Sequence, residues 1–265
     1  MSFTPKGGRH MSRQKHGLFG SLVCSILVLS TLSWVSSASA ATRNILVTGF
    51  WPPTNAMVQE FSQDPTLNPA GWQGKNWQNS GYDLYSYFPT FPNGGEVGTG
   101  DFPVDFASVY NDFMKYTQLL NPIAIVSFGQ DAGSSWIVEQ NFPNYFLSMF
   151  QGTIPSQIGV VPAYPVPDSL KTNQTFHSTL PLQKIADAVN ALGISATVDT
   201  GGDAGDFLCG FTGYLGSWYH SQHSDPKDPA YNEMAGFIHT DLSVENGVKA
   251  AEASLKQVVL SLKQP

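Results

Sequence analysis

Ile194-Ser-Ala-Thr-Val-Asp-Thr-Gly-Gly-Asp-Ala-Gly-Asp-Phe-Leu-Cys209 decides the reading of this 265-residue chain. A short β-branched run ends in a glycine-rich turn and passes into an apolar stretch, Asp206 to Tyr219, read as a helix. Strand, tight turn and helix in that order make half of an α/β unit. Immediately upstream, Pro181 to Leu192 places Leu182, Ile185, Val189 and Leu192 on one helical face, with Gly193 as the stop. Further upstream, Ile123-Ala-Ile-Val-Ser-Phe is a buried strand. Asn121-Pro122 before it closes a helix over Val104 to Leu120, where Phe106, Val109, Tyr110 and Phe113 recur at helical spacing. Asn44-Ile-Leu-Val-Thr-Gly is a first strand, and Ile158 to Val161 is another apolar segment. Downstream, Gly236-Phe-Ile-His is a short strand and Val244 to Leu262 a closing amphipathic helix. Thr54 to Pro103 is rich in Gly, Pro, Asn and aromatics without periodicity, and reads as loops over one face. Its Trp72, Trp77, Tyr82, Tyr85 and Tyr87 either line a cleft or cover the core. The alternation predicts an α/β fold, a sandwich with a mainly parallel sheet, as one domain over residues 41–265.

The N-terminus has a different pattern. Lys6, Arg9, Arg13 and Lys15 precede an apolar run from Leu18 to Trp34, which ends in small residues with Ala38 and Ala40 in small-x-small spacing. Basic, apolar and small-residue regions in this order predict a secretory signal over residues 1–40 and export to the periplasm or the extracellular space. A membrane-anchoring helix is the competing reading of the same run. Removal of the segment would take four of the thirteen basic residues and move the formal charge from −7 to −11. Such a protein repels nucleic acid and anionic membrane, so neither is an expected partner. Arg43 would be the one arginine left. Cys24 would leave as well, so Cys209 stands alone and no internal disulfide can form.

A lone exported cysteine is either a small buried hydrophobe or a reactive group. Cys209 follows a glycine turn in the first turns of a helix, where oriented N–H groups favour negative charge and could also receive an oxyanion. A cysteine nucleophile needs a base. His239 ends the strand Ala235-Gly-Phe-Ile-His, where α/β sheets carry functional groups. A third group must orient the imidazole, and Glu139 in Ser134-Ser-Trp-Ile-Val-Glu is the best candidate. Taken singly, His239 also reads as a strand-end histidine bonded to backbone, and Glu139 as a solvated acid. His220-Ser-Gln-His223 lacks a third ligand and reads as solvated polar residues, so neither a metal nor another cofactor is expected. Gly201-Gly-Asp-Ala-Gly lacks a following lysine and carries an acid, which excludes a phosphate-binding loop.

Three blocks, taken in order, resemble the pyroglutamyl peptidase I family of cysteine peptidases. They are Ile45-Leu-Val-Thr-Gly-Phe-Trp-Pro with Asn68-Pro69 after it, Gly129 through Glu139 to Asn144, and Asp203-Ala-Gly-Asp-Phe-Leu-Cys209 with Tyr214. Phe237-Ile-His239 follows. The resemblance implies Cys209 as nucleophile, His239 as base and Glu139 as its orienting acid, in a three-layer α/β/α sandwich with a twisted, mainly parallel central sheet and no metal. It also implies Phe50, Pro53 and Asn144 as substrate-binding positions. Pro53 stands where the family has a second phenylalanine against the flat lactam ring, Gly210 where it has asparagine, and no arginine precedes Glu139. The expected activity is hydrolysis of an amide after an N-terminal pyroglutamyl or related blocking group, through an acyl-enzyme. The substrate is a peptide or a small N-blocked amide. A non-catalytic exported binding protein on the same fold is the alternative.

Overall fold

The computed structural model describes residues 43–92, 94–131, 135–145, 167–202, 204–240 and 243–263. The expected signal over residues 1–40, with Cys24, and the apolar segment at Ile158 lie outside the described residues.

The chain opens with β1 (Arg43–Thr48), whose Ile45, Leu46 and Val47 are wholly buried. Helix α1 (Pro52–Val58) follows a sharp turn, with prolines at its first two positions, where a missing N–H costs nothing. Next comes β2 (Tyr82–Tyr87), then a small antiparallel pair, β3 (Pro89–Thr90) with β4 (Thr99–Gly100). Helix α2 (Phe106–Leu120) is capped by Asp105, whose carboxylate accepts from the Ser108 N–H at 2.9 Å. It ends at Asn121 in the left-handed region, just before Pro122. Strands β5 (Ala124–Gln130) and β6 (Trp136–Glu139) come next, then β7 (Asn141–Phe142), which pairs with β8 (Phe176–His177). Helix α3 (Leu182–Asn190), β9 (Ala196–Asp199), α4 (Leu208–Gln222), β10 (Met234–Thr240) and α5 (Val244–Ser261) complete the order.

Six strands form one sheet in the order β2-β1-β5-β10-β6-β9. Every neighbouring pair is parallel except β10 with β6. The period of two along each strand divides the core into two layers. Ile45, Val47, Val126, Phe128 and Ile238 pack with α1, α3 and α5, while Leu46, Ile125, Ala235 and Phe237 pack with α2 and α4. Residues Ala40–Pro265 form one compact unit. Among the described residues no helix is long and apolar enough to cross a membrane.

The expected sandwich with its mainly parallel sheet is the observed one, and the elements read from the sequence fall within a few residues of their expected bounds. Two stretches differ: Thr54 to Pro103, expected to be loops, contains most of α1 and the edge strand β2, and the apolar run before Glu139, not assigned to a strand, is β6 of the main sheet. In β2, Tyr82 and Leu84 face the α5 side and Tyr85 and Tyr87 the α2 side. Both faces are covered, so the strand shows no polar alternation to read. Its tyrosines and Trp77 cover core: Trp77 is 7 % exposed and packs edge-on to Phe61, and Trp72 stacks on Tyr85.

Candidate active site

Two features of the topology bring the candidate residues together. The first is strand parity. On β10, His239 shares a face with Ala235 and Phe237, the face that α4 covers. His239 lies opposite Ile137 of β6, so Glu139, two residues on, projects from the same face. The second is the position of α4 across β5 and β10, with Cys209 the second residue of the helix, above the strand ends.

His239 Nδ1 and Glu139 Oε1 are 2.7 Å apart, with His239 8 % and Glu139 3 % exposed. The Cys209 sulfur shares the cleft with the same ring and lies close enough to favour its charged form. It is a free thiol, partly exposed. Beneath it lies Gly129 of β5, where a β-carbon would sit 2.7 Å from the sulfur and 2.5 Å from the Phe237 ring. Glycine is therefore the residue that lets α4 bring the thiol down onto the sheet. Gly210 has a similar cause: a β-carbon there would meet the Gly205 carbonyl oxygen at 2.0 Å. The loop before α4 folds back over the first turn of the helix and leaves no room for the asparagine that the resemblance implied.

Burial disfavours a charged His239 ring, but the Cys209 sulfur and the Glu139 carboxylate outweigh it and push the pKa up to about 10. Glu139 is shifted upward by burial, a shift the bond to His239 opposes and Asp199 and Asp131 reinforce. Asp199 stands directly across from Glu139 in the β6–β9 register, and its Oδ1 accepts the N–H groups of Gly201 and Gly202. The Glu139 Oε2 atom is buried with no hydrogen-bond partner among the described residues.

These groups open into a cleft of about 440 Å³ lined by Gln130, Asp131, Ile137, Glu139, Asp199, the 204–207 loop, Cys209 and His239. Phe50, Pro53 and Asn144 are not in this lining. Phe50 is 1 % exposed and packs edge-on to Phe102, and Pro53 is half-buried on α1. Asn144 donates from Nδ2 to the Thr172 carbonyl, which the Tyr214 hydroxyl also reaches, so it secures the 170–172 segment. Arg43 begins β1 at the opposite end of the sheet, roughly 20 Å away at the rise of a six-residue strand. There it lines a separate hollow with Asn44, Asn121 and Tyr231. His220 Nδ1 contacts the Asn232 carbonyl and His223 Nδ1 contacts Asp228. Among the described residues no group of His, Cys, Asp and Glu could hold a metal. Sequence reasoning did not single out Asp199, Asp131 or Asp206 as neighbours of the thiol. Their signal was the recurrence of acids around the two glycine-bearing segments, but strand register decides which of them face the cleft.

With this geometry in view, the likeness to known proteins has a structural basis. The fold matches a pyrrolidone carboxyl peptidase from Pyrococcus furiosus at a TM-score of 0.58 and 18% identity, over 83% of this chain and 100% of that one. The Thermococcus litoralis pyrrolidone carboxyl peptidase gives 0.58 and 20%, over 84% and 100%. Pyroglutamyl peptidase I from Bacillus amyloliquefaciens gives 0.56 and 17%, over 83% and 96%. No curated protein matches by sequence. A sequence profile of pyroglutamyl peptidase matches residues 94–262, a span that holds Glu139, Cys209 and His239. The chain belongs to the pyroglutamyl peptidase family.

Proposed function

We propose that this member of a peptidase family is a cysteine peptidase or amidase that removes an N-terminal pyroglutamyl or related blocking group. Cys209 is the nucleophile, His239 the acid and base, and Glu139 the residue that orients and charges the imidazole. The observation that carries the reading is the chain of contacts from a partly exposed thiol through His239 to a buried carboxylate 2.7 Å from Nδ1. A structural histidine on a core strand has no need of both partners.

In this mechanism the Cys209 thiolate attacks the acyl carbonyl carbon, and the electron pair moves to the oxygen, which the N–H groups of the first turn of α4 receive. The His239 imidazolium then gives its proton to the leaving nitrogen as the C–N bond breaks, and a thioester remains. Neutral His239 next takes a proton from water. The hydroxide attacks the thioester and the thiolate departs. Glu139 keeps the Nδ1 proton in place through both halves. We also propose that residues 1–40 direct export and are removed.

Incubation of the purified protein with pyroglutamyl amides tests the activity. Turnover that a stoichiometric thiol alkylator abolishes is the expected result. Ligand binding without turnover of any N-blocked amide would leave the binding-protein reading instead. Export is tested by N-terminal sequencing of the secreted form, where a start at Ala41 is expected.

A further inference from the structure

The cleft beside Cys209 has an unusual charge inventory. Asp131, Glu139, Asp199 and Asp206 line it, and among the described residues neither lysine nor arginine does. The absence extends to the surrounding chain: residues 116–170, 185–226 and 228–248, which supply every lining residue, contain no Lys or Arg at all. Among the described lining residues the one cation is the His239 ring, matched by the sulfur of Cys209 and by one oxygen of Glu139. The other Glu139 oxygen is buried without a partner among the described residues, on a side chain 3 % exposed in the cleft wall. An anion held in this way, with low-dielectric walls and further carboxylates across from it, gives the cleft a negative potential that a bound group would experience.

The position of the cleft says which part of a substrate meets that potential. In amide cleavage the imidazolium protonates the leaving nitrogen, so the leaving group lies on the histidine side of the sulfur. Strand order puts β6 and β9, with Glu139 and Asp199, on that side of β10, and puts β1, with Phe50, on the far side of β5.

We propose that the cleft receives the leaving side of the substrate and selects a cation there: a lysine or arginine residue, or a diamine, directly after the scissile amide. This rests on the acyl-transfer reading above for the direction of the substrate, but the charge selection of the cleft stands on its own residues.

Two readouts separate the parts. The first uses the full chain with Cys24→Ser and measures the rates at which Cys209 reacts with trimethylammonioethyl and sulfonatoethyl methanethiosulfonates, normalised to a small free thiol. Each reagent forms a mixed disulfide and releases methanesulfinate. The cationic reagent is expected to be favoured by about tenfold or more at low salt. The preference should shrink at high salt and in Asp199→Asn and Asp206→Asn. A ratio equal to that of the free thiol overturns the proposal. The second readout compares kcat/KM for pyroglutamyl-Lys, pyroglutamyl-Ala and pyroglutamyl-Glu amides, in that expected order. A Glu substrate as good as the Lys one also overturns it. Absence of turnover on all three, with the reagent preference intact, would remove the pyroglutamyl reading and leave the cation-selective cleft.

Discussion

Glu139 and His239 meet diagonally across the one antiparallel strand pair of the main sheet, Oε1 to Nδ1 at 2.7 Å. His239 faces Ile137 directly, so the acid that reaches it comes from two residues along β6 on the same face. A glutamate spans that diagonal, and an aspartate is one methylene shorter. Glu139→Asp is therefore expected to lose most of the effect of the carboxylate although its charge is kept. The loss in kcat should be about a hundredfold or more, approaching that of Glu139→Gln. Steady-state kinetics on a pyroglutamyl amide, with circular dichroism to establish folding, checks this.

The raised pKa of His239 has a definite sign. Burial opposes the charge, and the Cys209 sulfur and Glu139 outweigh it, so the folded value of about 10 lies above the ordinary 6.5. Stability from holding the ring charged is fully present below about pH 6.5 and is lost as pH rises through about 10. The ring carbons and nitrogens of labelled His239 should report an imidazolium through neutral pH, and the resonance should titrate much lower in Glu139→Gln and in Cys209→Ala. A ring that titrates near 6.5 in the unaltered protein would contradict the assigned contacts.

Gly129 supports the sulfur from below. A methyl at this position would stand 2.7 Å from Sγ and 2.5 Å from Phe237. Gly129→Ala should cost about 1–3 kcal/mol of stability through overpacking. It should also lower kcat about a hundredfold, because the nucleophile is displaced by an ångström or so. Urea melts and single-turnover rates on the same preparation separate the two effects.

Gly210 tests the loop rather than the thiol. Gly210→Asn introduces the side chain that the resemblance associates with this position, against the Gly205 carbonyl at 2.0 Å. The expected outcome is a loss of stability, again about 1–3 kcal/mol, with no gain in activity. A gain in kcat would mean that the 204–206 loop moves aside.

Local chemistry made several parts readable before any coordinates. Helix α2 announces itself by Phe106, Val109, Tyr110 and Phe113 and ends where Asn121-Pro122 forbids continuation. Strands β1 and β5 are continuous apolar runs because both of their faces are covered. Helix α1 and β2 were hidden for opposite reasons. In α1 only seven residues are helical, too few for a periodicity, and its start is marked only by Pro52-Pro53. In β2 the sequence Tyr-Asp-Leu-Tyr-Ser-Tyr mixes polar and aromatic residues at an edge, where packing rather than pattern makes the strand.

Taken alone, the sequence determined the layered α/β class, the strand–glycine turn–helix that presents Cys209, and the residue types of a thiol, an imidazole and a carboxylate. Those are properties of neighbouring residues and of side-chain chemistry, which a chain carries wherever it folds. Only the tertiary structure decided that the Glu139 carboxylate, named from the sequence, comes within 2.7 Å of His239, that Asp199 faces Glu139 across β6 and β9, and that Arg43 lies at the wrong end of the sheet to help. Each of these depends on which strands pair and in what register. Register is set by the burial of whole faces, and a shift of one residue would turn all of these groups away from the cleft.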